Sequence, residues 1–168
     1  MAKPEAAAAA LVADLGLRPP VDPAEVARTL SAVVVTQPGA EDLSGMLLRR
    51  DGQLVIGANG ARPIEQQRFA VAHCLGHLRL HPARPVLVCT DRRAVLGAYP
   101  GIATDREEAG ANRFAAALLM PESAVRDAAS RGDFAGAGEL AEAIAAAFGV
   151  SVPVATFRLL YLGITASG

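Results

Sequence analysis

Between Arg68 and His81 the chain reads RFAVAHCLGHLRLH, a proline-free run that contains all three of its histidines. Residues four apart share one face of a helix, so His73 and His77 would present their imidazoles side by side. From Phe69 onward the run is apolar on most sides, so the helix must be buried and the rest of the chain must cover it. A buried pair at this spacing is either two core histidines satisfied by neighbours or a clamp for one ion held at roughly 2.0–2.1 Å. Gly76, directly before the second histidine, would let another element pack closely there.

The surrounding sequence predicts what does the covering. Residues 4–15 read as an alanine-rich helix closed by Gly16, and Asp22-Pro23 is a cap followed by proline at the first helical position, opening a helix to about Leu30. Residues 32–36, 44–50 and 53–57 are short runs rich in Val, Ile and Leu, the last two joined by the hairpin signal Asp51-Gly52. The histidine helix spans 64–80 and ends at His81-Pro82. A further strand is predicted at 86–89 and a loop at 90–103. Helices follow at 104–119, 121–132, 138–148 and 153–162. The expectation is an α+β fold, a small antiparallel sheet packed on the histidine helix followed by a mainly helical C-terminal half, in a single domain over residues 1–168.

Composition excludes several functions. The 168 residues are 52% hydrophobic, ample for a core, and carry 16 basic against 17 acidic side chains. A net charge of −1 gives no global field for nucleic acid or an anionic membrane. No stretch reaches the roughly 20 apolar residues of a membrane span. The first residues carry Glu5 and Asp14 and lack the basic front of a signal peptide, so a cytoplasmic protein is expected. Cys74 and Cys89 are then expected as free thiols, Cys89 as a small buried residue in a short strand.

A catalytic-type metal site needs a third protein ligand and an open fourth position. Asp91, Asp105, Glu107 and Glu108 are the candidates. Glu108 has Asn112 one turn on, so one helical face would carry a carboxylate and a polar group able to orient a histidine. The Glu107 face continues through Ala111, Phe114 and Leu118 and reads as core.

The segments AVAHCLGHLRLHP and EEAGANRFAAALLMP together resemble the signature of the ImmA/IrrE family of bacterial metallopeptidases. That signature joins an H-E-x-x-H helix to a later E-x-x-x-[DN]-x-F-A-A-x-L-L-M-P helix. Glu108, Asn112, Phe114, Ala115, Ala116, Leu118, Leu119, Met120 and Pro121 fall at its positions. The resemblance implies zinc held by His73, His77 and Glu108, and as partner a helix-turn-helix repressor of the XRE type.

Cys74 departs from the pattern, standing where the family has its general base. That glutamate takes a proton from the metal-bound water and passes it to the leaving amine. A cysteine is shorter by roughly two bonds and does not reach the same point, so peptide hydrolysis should be weak or lost. The favoured reading is a zinc-binding homologue with a degenerate HCLGH site, acting through partner binding or redirected zinc chemistry. A second reading keeps an active endopeptidase in which His81, Tyr99 or Glu107 supplies the base. A third closes the site with a Cys74 thiolate as fourth ligand, against which the same reach argument counts. The closing helices also resemble a DNA-reading helix-turn-helix, but from residue 121 onward three arginines face five acids, which favours packing over direct DNA contact.

Overall fold

The computed structural model describes residues 3–83, 86–90 and 103–166. Helices α1 (Pro4–Asp14) and α2 (Pro23–Thr29) come first. The side chain of Asp22 caps α2, accepting from the Ala24 N–H at 2.9 Å, with Pro23 at the first helical position where its missing donor costs nothing. Strands β1 (Ala32–Gln37), β2 (Leu43–Arg50) and β3 (Gln53–Asn59) follow, then α3 (Ile64–Leu80) and β4 (Val86–Thr90). Asp51 and Gly52, at φ of 51° and 77°, form the turn between β2 and β3, as a two-residue hairpin turn with two positive φ values requires. The C-terminal half is helical: α4 (Asp105–Leu119), α5 (Glu122–Arg131), α6 (Ala137–Phe148) and α7 (Val152–Leu162).

The four strands lie in the order β1-β3-β2-β4, and the sheet is mixed. β2 pairs antiparallel with both β3 and β4, as expected for a hairpin, but β1 runs parallel to β3. This corrects the expected all-antiparallel sheet. The direction of β1 is set by the turn after it, which Asn59 organises. Its Oδ1 accepts from the N–H groups of Gly39 and Ala61, and its Nδ2 donates to the carbonyls of Ala40 and Leu43. With all these bonds made, a 2% exposed amide is tolerated in the core and the chain is carried past β3 before β2 begins.

The sheet packs on α3 through Leu47, Ile56 and Leu87, each at most 1% exposed, and α4 covers the other side of α3. Gly76 is a point of close approach between α3 and α4. A Cβ there would lie 3.0 Å from both the Cα and the carbonyl oxygen of Ala111, so any larger residue would push α4 away. Every residue from Ala70 to His77 is buried, the double-sided covering that the apolar run demands.

The last two helices serve packing. Leu140, Ile144, Phe148, Ala155 and Leu159 enter the core. Arg68 of α3 pins the turn between the two helices, donating to the carbonyls of Gly149 and Phe148 and also to that of Val21. Arg158 is buried and donates to the Met120 carbonyl, while Arg126 and Arg131 pair with Glu122 and Asp127. No single helix among the described residues is long and apolar enough to cross a membrane.

Candidate metal centre

Helix α3 sets His73 and His77 one turn apart, and α4 sets Glu108 and Asn112 one turn apart on the face that crosses them. The N-terminus of α4 is fixed by a capping box. The Thr104 hydroxyl accepts from the Glu107 N–H, and the Glu107 carboxylate accepts from the Thr104 N–H at 2.7 Å. That cap fixes where Glu108, the next residue, enters the interior.

His73 Nδ1 lies 2.8 Å from Asn112 Oδ1. With a carbonyl oxygen as partner, Nδ1 carries the proton and donates, which leaves the Nε2 lone pair for another role. The two Nε2 atoms of His73 and His77 are 3.0 Å apart, and Glu108 reaches them with separate oxygens at 3.1 and 3.3 Å. A tetrahedral ion with ligands at 2.0–2.1 Å has ligand–ligand edges of about 3.3–3.4 Å. Three buried donors therefore stand close to the spacing that a single dication imposes, and the residues fit a metal.

The electrostatics of the metal-free centre agree. Burial disfavours the imidazolium of His73, but the Cys89 sulfur and the Glu108 carboxylate outweigh it and raise its pKa to about 10. Burial would also push Glu108 up, yet its bonds to His73 and His77 hold it well below the usual carboxylate range. A proton on His73 and a dication held by the same donors are thus alternatives. Metal uptake near neutral pH is accordingly expected to release at least one proton, so that apparent affinity rises about tenfold per pH unit for each proton released. Calorimetric titration in two buffers of different ionisation enthalpy measures this, and equal heats in both would contradict it.

Not every sequence candidate joins the centre. Cys74 is fully buried, but its sulfur faces β2, 3.6 Å from where a Cβ on Gly45 would stand, and it is not among the grouped donors. His81 caps the end of α3 with Nδ1 3.9 Å from Glu107, outside the group. Glu107 is occupied by the capping box, and Asp105 is exposed in the first turn of α4. Tyr99 and Asp91 lie outside the described residues. His77 Nδ1 is buried and makes no hydrogen bond among the described residues.

One residue was not foreseen in this place. Cys89 is buried, as its sequence context suggests, yet its sulfur belongs to the donor group, where the ligand atoms of His73, His77, Cys89 and Glu108 all lie within 4.8 Å of one another. A hydrogen bond with Cys74 and burial push its thiol up to about 12, against the pull of His73 and His77. The strand pleat carried a partial signal: Leu87 and Cys89 share a face, and Leu87 packs in the core.

A mixed sheet over a helix bearing two histidines, with a carboxylate from the next helix, defines a zinc-metallopeptidase-like fold. The family model of Peptidase M78, the IrrE N-terminal-like domain, matches residues 28–160, and the chain belongs to that family. A comparison with curated proteins found no match.

Proposed function

We propose that this chain is a zinc-binding member of its family that has lost the hydrolytic base and acts by binding a segment of a protein partner at the metal centre. His73, His77 and Glu108 hold the ion, with His73 oriented by Asn112. When bound, zinc polarises a carbonyl or activates a water. Hydrolysis further requires a basic group within about 2.6–3.2 Å of the proton to be moved. The observation that carries the proposal is the residue at position 74: a fully buried cysteine, whose side chain is shorter by roughly two bonds than the family's carboxylate base, lies beneath β2. The second reading, with His81, Tyr99 or Glu107 as base, has less support because the Glu107 carboxylate accepts from the Thr104 N–H and His81 Nδ1 lies 3.9 Å from that same carboxylate.

The surface around the centre suits a peptide. A cavity of about 270 Å³ opens over His73 and Glu108 beside Arg62, Gln66, Phe69 and Ser151. Phe69, Asn112 and Val154 also line a second, more apolar cavity of about 670 Å³ that runs along α7 past Phe157 and Tyr161. A continuous path from polar to apolar lining fits an extended segment better than a small polar molecule. By family resemblance the partner is a repressor of the XRE type, and direct DNA binding is not part of the proposal.

The zinc-loaded protein is expected to bind such a purified repressor, best one encoded beside it, and to leave it intact by mass spectrometry. Cleavage by the native chain at a rate that chelation abolishes would overturn the loss of the base. Absence of binding would remove the partner.

A further inference from the structure

We propose that Cys89 supplies a fourth, thiolate ligand to the metal held by His73, His77 and Glu108, which closes the centre and leaves no position for a reactive water. The inference rests on the zinc-binding reading above. Its geometric ground is the Cys89 sulfur, within 4.8 Å of each of the other three donor atoms and buried with them. Register places it there. Cys89 pairs with Gly45 of β2, and Gly45 lacks a side chain that would otherwise approach the Cys74 sulfur, so β4 can present Cys89 toward α3 at this level. Sulfur coordinates zinc at about 2.3 Å, and four protein ligands without an open position are the mark of a structural or latched site.

The same arrangement accounts for the identity of residue 74. In coordinating, Cys89 gives its S–H proton to solvent and forms a sulfur–metal bond with the freed lone pair, because a coordinated thiol is deprotonated outright. A dication with Glu108 and one thiolate is neutral. A third anion would leave a net negative charge in a centre whose members are nine-tenths or more buried, a costly arrangement in a low-dielectric interior. The family's glutamate at position 74 would be that third anion, directed at the thiolate. Cys74, whose sulfur lies 3.6 Å from where a Cβ on Gly45, the register partner of Cys89, would stand, can instead donate its S–H to the coordinated sulfur. Cys74 and Cys89 thus form a matched pair, one as ligand and the other as the neutral donor that supports it.

Cobalt substitution tests this without reference to activity, since thiolate ligation gives an intense near-ultraviolet charge-transfer band that nitrogen and oxygen ligands lack. One equivalent of cobalt in the reduced full chain is expected to produce that band. Cys89→Ser should abolish it while still binding cobalt, and Cys74→Ser should retain it. X-ray absorption on the native zinc protein provides a second readout free of mutation: one sulfur at about 2.3 Å beside nitrogen and oxygen at about 2.0–2.1 Å. A purely nitrogen–oxygen shell in the loaded native protein overturns Cys89 as ligand and leaves the zinc-binding reading standing. A band that survives Cys89→Ser but vanishes in Cys74→Ser transfers the role to Cys74 and overturns the proposal. Failure of the reduced native chain to hold any metal overturns both readings together.

Discussion

His77→Ala is expected to abolish stoichiometric metal binding and to destabilise the metal-free fold by about 2–5 kcal/mol, the range for truncating a large buried side chain to alanine. His77 is fully buried, and its Nε2 touches both His73 and one oxygen of Glu108. Alanine would leave the Glu108 carboxylate with half of its partners and a void where the imidazole stood. The loss should exceed the 10–100-fold in affinity that removal of an orienting partner alone typically costs. His81→Ala is the control, because His81 follows His77 by four residues, at the C-cap of the same helix, and lies outside the donor group. It should keep a full equivalent of zinc. Elemental analysis of both proteins, with urea unfolding of their metal-free forms, decides the matter. Full zinc occupancy in His77→Ala would remove the assigned centre.

The contrast between these two histidines shows what a sequence can and cannot convey. Periodicity places His73 and His77 on one face, and that geometry survives folding because it is local to the helix. His81 continues the same four-residue spacing, but at the helix end its ring turns toward Glu107. Helices, caps and the Asp51-Gly52 hairpin were legible for the same local reason. The parallel pairing of β1 was not, since a hydrophobic run does not encode strand direction, and the amide that directs the turn, Asn59, lies more than twenty residues after β1 begins. Cys89 was the larger omission. Its burial could be read from its neighbours, whereas its place beside His73 depends on the register of β4 against β2, a non-local property. Cys74 drew the attention because it interrupts a motif, yet its sulfur faces the sheet.

The largest expected change in function comes from a double substitution. Cys74→Glu with Cys89→Ala should create measurable zinc-dependent cleavage of a bound repressor, raised by about 10²–10⁴-fold over the native chain, which is the usual contribution of a positioned general base. Two obstacles are removed together. Glutamate restores a carboxylate longer than cysteine by roughly two bonds, and alanine at position 89 frees the coordination position that the thiolate would hold. Cys74→Glu alone should stay near the native rate, because the carboxylate would face a centre closed by sulfur and repelled by its charge. Cys89→Ala alone should also stay slow, with an open position but no base. The four proteins form a cycle in which only the double variant combines base and open site, and a large positive coupling between the two positions is the expected signature. Rates must be compared at equal zinc occupancy, measured on each protein. If Cys74→Glu by itself cleaves as fast as the double variant, Cys89 does not close the centre. If the native chain already matches the double variant, the base was never lost and another residue supplies it.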